Sequence, residues 1–304
     1  MPTKSTSVQR VGAKQEFLLQ CLIFKENRYL GHYHKLYYIH IPFLQEVLKM
    51  SKWAKVKINN KSGQKLAGLL YTQGDSGPLV IFCHGFTGSK EGKGKALEMA
   101  EELGRSGWST MLFDFAGNGE SEGDFVNLTL TGQIADLAAV TDYCRQRGFY
   151  PLITLGRSLG GVTAICHAAG DSNIGGVCTW STPANLYELL LPATVKELPL
   201  EEDAVVALAG SEGLIYVKRN FFTDILQYDI CSLTKKVAPR PLLIIHGRED
   251  RLVPPTEAEK IYDCAGAPKE LHWIDHGNHQ FSGHYREAWA IVIKWLNSSF
   301  ANNI

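Results

Sequence analysis

At 304 residues, 45% hydrophobic and 20% charged, the chain can bury one large core or carry one domain plus an insertion. Its 31 Lys and Arg balance 31 Asp and Glu, which argues against a nucleic-acid or anionic-membrane partner, and no apolar run approaches the ~18 residues of a membrane span. Seven cysteines without a C-x-x-C spacing read as reduced thiols, and the amino terminus lacks a secretory pattern, so a soluble cytoplasmic protein is expected, with room left for a homodimer.

Residues 1–49 read differently from the rest. Gln20 to Tyr38 is crowded with Tyr, His and Lys and sustains neither strand nor helix periodicity. Gln45-Glu46-Val47 can be encoded by codons containing AGGAGG, a bacterial ribosome-binding sequence, and Leu48-Lys49 then space it from Met50. Met50 is therefore read as the true start and 1–49 as an over-extended frame, with a genuine N-terminal extension as the alternative. Cys21, His32, His34 and His40 match no familiar metal-ligand spacing.

From Lys55 to Ile58 and Leu66 to Tyr71 run two candidate strands around the turn signal Asn59-Asn60-Lys61-Ser62-Gly63. Pro78 to Cys83 is a strand apolar enough to be covered on both faces. It ends in His84-Gly85-Phe86-Thr87-Gly88, a loop whose glycines let backbone approach a substrate. A helix over Lys95–Leu103 and a strand over Ser109–Phe113 follow. The loop from Asp114 to Gly123 is rich in carboxylates and glycines; it reads as a turn in which Asp114 accepts backbone N–H groups rather than as a cation site. A helix spans about Leu130 to Gln146.

The next strand carries the decisive pattern. Leu152 to Leu155 runs into Gly156-Arg157-Ser158-Leu159-Gly160, and Val162 to Ala169 then reads as a helix. Strand, tight Gly-x-Ser-x-Gly turn and helix is the context of a nucleophile elbow, which lifts the Ser158 hydroxyl above the sheet edge at a helix amino end. An elbow calls for three partners: an oxyanion loop, an acid and a histidine. The N–H groups of Phe86 and Leu159 suit the oxyanion hole.

Ile174 to Trp180 is a further strand, after which the βα rhythm stops. From about Ala184 to Lys236 come segments read as helical, such as Glu197 to Leu208, and then the aromatics Tyr216, Phe221 and Phe222. An insertion here is expected to form a small helical cap, or lid, over a pocket. The rhythm resumes with the strand Pro241–His246, and Asp250 in the loop after it is the candidate acid. A helix over Pro255–Cys264 and a strand over Leu271–Ile274 lead to a loop with two more histidines. His272 lies within the strand and reads as structural; His276 follows it directly, while His279 has room to reach Ser158 and is preferred as the base. Tyr285 to Phe300 closes the domain as an amphipathic helix.

Alternating strands and helices argue for an α/β protein with a mainly parallel sheet covered by helices on both faces. The order Ser158, Asp250, His279 is that of the α/β-hydrolase fold, and from Trp53 to Asn297 the chain resembles that superfamily. More narrowly, His84-Gly85-Phe86-Thr87-Gly88, the Asp114 loop running to Gly123-Asp124-Phe125, and His246-Gly247-x-x-Asp250-x-x-Val253-Pro254 resemble the bacterial cinnamoyl/feruloyl esterase-like group. That resemblance implies a small cap where this chain has its insertion, with Ser158 as nucleophile, His279 as base, Asp250 as its orienter, and Phe86 and Leu159 as oxyanion donors. The elbow departs from the group, having Arg157 and Leu159 where those esterases usually carry His and Gln. The activity implied is hydrolysis of a small-molecule carboxylic ester with a small to medium, partly apolar or aromatic acyl group, without metal or organic cofactor. A serine peptidase or thioesterase is the alternative, and a non-catalytic ligand-binding protein a third.

Overall fold

The computed structural model describes residues 52–190, 201–210 and 213–301. The reading of Met50 as the start, and Cys21, His32, His34 and His40, lie outside them.

β1 (Trp53–Asn59) and β2 (Lys65–Tyr71) form an antiparallel pair. Their turn closes because Asn60 Oδ1 accepts from the N–H groups of Ser62 and Gln64, at 3.0 and 2.9 Å. β3 (Gly77–Cys83), α1 (Lys95–Arg105), β4 (Ser109–Phe113), α2 (Leu130–Gln146), β5 (Phe149–Arg157), α3 (Leu159–Gly170) and β6 (Ile174–Trp180) follow. After the insertion come β9 (Leu242–Gly247), α7 (Pro255–Cys264), β10 (Lys269–Ile274) and α8 (Tyr285–Ser299). The eight strands form one sheet in the order β1-β2-β4-β3-β5-β6-β9-β10. Every pairing from β4 to β10 is parallel, and β2 alone runs against its neighbours.

The strands are apolar throughout because both faces are covered. Leu79, Ile81, Leu242 and Ile244 pack with α2, α3 and α7 in one core. Their alternates Val80, Phe82, Leu243 and Ile245 pack with α1 and α8 in the other. α8 presents Ala288, Trp289, Val292, Trp295 and Leu296 to that second core, the spacing of one helical face. Thr129 caps α2 by accepting from the Gly132 N–H at 3.0 Å. No helix among the described residues is long and apolar enough to cross a membrane.

The insertion contains α4 (Leu186–Leu190), β7 (Val205–Gly210), β8 (Gly213–Lys218), α5 (Asn220–Ile225) and α6 (Ile230–Lys235). The helix expected over Glu197–Leu208 is therefore corrected in its described part: Val205 to Leu208 belong to a strand. Along β7 exposed and buried positions alternate, and the strand pairs antiparallel with β8 from Val205↔Lys218 to Gly210↔Gly213. The period was two, and the leucine-rich, acidic context masked it. The insertion is thus a mixed hairpin-and-helix element. It is tied to the core where Asp224 on α5 accepts from the backbone N–H and hydroxyl of Thr131, at the start of α2.

The cysteines also depart from expectation. Cys231 on α6 and Cys264 on α7, with Cα atoms 5.3 Å apart, form a disulfide, whereas Cys83, Cys144, Cys166 and Cys178 are buried and free. A separation of 33 residues carries no sequence signature, so only the packing of α6 on α7 creates the pair. With Cys231 and Cys264 joined, the cysteines do not point to a reducing compartment.

One buried histidine makes stability depend on pH. His167 on α3 lies 3.2 Å from Thr141 Oγ1 and 3.8 Å from the Asp171 carboxylate. Burial pushes its pKa down to about 4, overriding the opposing pull of Asp171. An unfolded histidine titrates near 6.5, so between roughly pH 6.5 and 4 the unfolded chain binds the extra proton. Stability is complete above that window and falls by roughly 3 kcal/mol through it. Thermal melts at about pH 7 and about pH 4.5 should show a smaller acid loss for His167→Gln than for the parent; equal losses would refute this assignment.

Candidate active site

Ser158 sits between the end of β5 and the first residue of α3, with φ 54° and ψ −123°. A non-glycine residue at positive φ costs of order 1–3 kcal/mol and persists only where its surroundings enforce it. Here they do. The Ser158 N–H donates to Trp180 O at 2.8 Å, and Ser158 O accepts from the N–H groups of Gly161 and Val162. The flanking glycines are obligatory: a Cβ on Gly156 would stand 2.2 Å from Gly160 O, and one on Gly160 would stand 2.2 Å from Cys83 O. Leu159 opens α3, where first-turn N–H groups lack helical partners.

The loop after β3 comes against this turn, since a Cβ on Gly85 would lie 3.5 Å from Ser158 Cβ. His84 shapes it. Its Nε2 accepts from the Phe115 N–H at 3.2 Å, so Nδ1 carries the proton and donates to Gly85 O at 2.8 Å. Burial lowers the His84 pKa and keeps this tautomer neutral. Gly85 O also accepts from the Gly88 N–H at 2.9 Å. Phe86, at the tip of the loop, packs edge-on against Phe125 at 5.4 Å and stacks on Phe221 of α5 at 5.6 Å. The insertion thereby touches the loop that carries one expected oxyanion donor.

The Asp114 loop is the turn expected. Asp114 is fully buried and accepts from Lys90 N, Lys90 Nζ and Glu120 N at 2.7 to 2.9 Å. Burial opposes the charge on Lys90, but the carboxylates of Asp114, Glu120 and Glu91 more than offset it and push its pKa up. No cluster with metal-binding composition occurs among the described residues.

Asp250 follows β9 with its carboxylate buried. Oδ1 accepts from the N–H groups of Leu252 and Val253 at 2.9 and 2.8 Å, and Oδ2 accepts from His279 Nδ1 at 2.8 Å. Burial alone would raise the Asp250 pKa, but hydrogen bonds from His246 and His279 hold it well below the usual carboxylate range. His279 donates through Nδ1, which leaves its Nε2 as the lone-pair nitrogen. The other two candidate histidines go elsewhere: His272 pairs with Glu270 at 2.9 Å and His276, exposed, with Glu249 at 2.8 Å. Glu249 raises the His276 pKa.

The His279 loop is anchored on both sides. Asn278 Oδ1 accepts from the N–H groups of Gln280 and Ser282, each at 3.0 Å, and Phe281 is buried against Trp180. The structure thus brings His279 to Asp250. No hydrogen bond joins Ser158 Oγ to His279 Nε2 among the described residues. One contributor was missed from sequence. His246 Nε2 lies 3.4 Å from Asp250 Oδ2 and 2.9 Å from Val253 O, which places a second imidazole behind the carboxylate. Its spacing of four residues before Asp250 was the available signal.

Beside the glycine loops opens a cleft of about 600 Å³. The β8 residues Leu214, Ile215 and Tyr216 form one wall, Phe125 and Val126 another, and Thr87–Ser89 and Gly117–Gly119 the floor. None of these side chains is charged.

Residues 74–195 match the family described as Serine aminopeptidase, S33. Among curated relatives, the "Uncharacterized protein YfhR" of Salmonella typhimurium is 29% identical over 199 residues, covering 62% of this chain and 62% of that protein. The "Lysophosphatidylserine lipase ABHD12" of Danio rerio is 26% identical over 202 residues, covering 64% of this chain and 49% of its own length. The chain thus spans less than two thirds of either relative. Among solved structures, Est1E from Butyrivibrio proteoclasticus with ferulic acid bound superposes with a TM-score of 0.72 at 24% identity, over 81% of this chain and 99% of that one. Sheet order, elbow and these similarities agree: the chain has the α/β-hydrolase fold.

Proposed function

We propose that the protein is a serine hydrolase that cleaves carboxylic esters of small to medium, partly apolar acyl groups. The observation that carries this reading is the 2.8 Å bond from His279 Nδ1 to a buried Asp250 carboxylate, on the same sheet edge as the strained Ser158 turn. In the proposed reaction His279 Nε2 takes the Ser158 proton as Oγ attacks the ester carbonyl, and the N–H groups of Phe86 and Leu159 hold the oxyanion. His279 then protonates the leaving alcohol, and water repeats the sequence on the acyl-enzyme. Asp250 keeps Nδ1 protonated and steadies the imidazolium. The uncharged cleft, whose lining includes neither Ser158 nor His279 but neighbours the Phe86 loop through Thr87, would take an apolar substrate portion away from the reacting bond.

A second reading, a serine peptidase, is supported by the description of the matching family. Turnover of p-nitrophenyl esters, thioesters and aminoacyl anilides by one preparation separates the readings. Ester turnover with silent anilides supports the esterase; the reverse pattern supports the peptidase. No turnover and no fluorophosphonate labelling of the folded protein would leave a ligand-binding protein.

The stacking of Phe221 on Phe86 gives a further expectation. Phe221→Leu keeps an apolar side chain in the buried site but removes the ring that braces the oxyanion loop. We expect kcat to fall about tenfold with KM little changed, measured on p-nitrophenyl acetate. Unchanged kcat would show that the cap does not brace the loop.

A further inference from the structure

Arg157 stands one residue before Ser158, at the end of β5, and the proposed reaction does not use it. Its guanidinium is partly buried, and no carboxylate pairs with it among the described residues. Among the described residues its buried Nε has no hydrogen-bond partner. Burial lowers its pKa, so the environment works against the charge. A cation kept there at such a cost needs a reason beyond stability.

Its contacts supply one. Nη1 donates to Oε1 of Gln280, the residue directly after His279. Nη2 lies beside the loop after β3, 3.7 Å from where a Gly85 Cβ would stand. One rigid planar group therefore meets the elbow, the glycine loop and the histidine loop, the last of which comes from 123 residues away in sequence. The histidine loop is held elsewhere at Asp250, at Glu249, whose N–H donates to Gly277 O and whose carboxylate pairs with His276, and at Phe281. These contacts meet β6 or the loop after β9, and none ties the histidine loop to the strand that bears Ser158.

We propose that Arg157 is a positioning residue: through Gln280 it locks the His279 loop onto the nucleophile elbow, setting the approach of Nε2 to Ser158 Oγ. This rests on the serine hydrolase reading. Arg157 acts on the loop rather than on substrate, so its removal lowers kcat and spares KM, and its effect disappears once Gln280 can no longer accept the bond.

The test is a double-mutant cycle with p-nitrophenyl acetate. Arg157→Met keeps the apolar stem and removes the donor; Gln280→Leu removes the acceptor. Each single variant should lose about tenfold in kcat with KM within about twofold, and the double variant should lose no more than the worse single. Arg157→Lys, a donor without the planar fork, should recover part of the loss. Losses that multiply in the double variant, or an Arg157→Met variant within about twofold of the parent, overturn the proposal. A rise in KM alone, with Gln280→Leu silent, also overturns it, since that pattern marks direct contact with substrate. If Arg157→Met does not fold, Gln280→Leu alone decides, because it leaves the arginine in place. Failure of the underlying reading shows separately: the parent protein would then neither turn over the ester nor take a fluorophosphonate at Ser158.

Discussion

Ser158→Ala should abolish ester turnover, lowering kcat/KM by about four to six orders of magnitude while thermal stability stays near that of the parent. The size of the effect follows from what the hydroxyl does in the proposed reaction: it forms the bond to the acyl carbon, and no other side chain can supply that oxygen from the same turn. The fold should tolerate the change. The Ser158 backbone is held by its N–H to Trp180 O and by Gly161 and Val162 donating to its carbonyl, and alanine retains all three bonds. Alanine at this φ is also no more strained than serine. Steady-state kinetics and a thermal melt of the same preparation check both halves. Retention of more than about one hundredth of the activity would place the nucleophile elsewhere.

Asp250→Asn should cost about three to four orders of magnitude in kcat, for a reason visible in its hydrogen bonds. Oδ1 is held by the N–H groups of Leu252 and Val253, so the amide oxygen of asparagine takes that position. Its NH2 is then left facing His279 Nδ1, where a carboxylate oxygen accepts at 2.8 Å in the parent. Two donors cannot pair, so the imidazole must shift its proton to Nε2, the nitrogen that should accept from Ser158. The variant has the residues in place with the proton on the wrong side of the ring. His279→Ala should be at least as damaging, whereas His276→Ala should stay within a few-fold of the parent, because His276 is exposed and paired with Glu249. A reversed order for the two histidines would mean that the loop is read wrongly. Comparing kcat across these variants at fixed pH makes the test.

Much of the sheet was legible from local pattern. β3, β5 and β9 are apolar runs leading into glycines and β6 one ending at Ser181-Thr182-Pro183, and a strand covered on both faces has no alternation to obscure it. The elbow was legible from its Gly-x-Ser-x-Gly spacing between strand and helix: Gly156 meets Gly160 within the turn, although Gly160 itself answers Cys83 on a neighbouring strand. Asp250 could be placed because it follows a strand at the edge where active-site loops gather. The hairpin of the insertion was not legible. Its strands Val205 to Gly210 and Gly213 to Lys218 are only six residues each, in a region where the surrounding composition favours helix, and only the pairing decides the conformation.

By itself the sequence determined the fold class, the succession of strands and helices and the strained serine turn, because these rest on interactions between residues a few positions apart. Only the tertiary structure decided which histidine meets the acid, that His246 stands behind it, that Arg157 reaches Gln280, and that Cys231 and Cys264 are joined. Each of these is a contact between loops or helices brought together by sheet order. His272 is set apart by its place within a strand, but His276 and His279 share one loop, and the hydrogen bond to Asp250 falls to His279 while His276 pairs with Glu249.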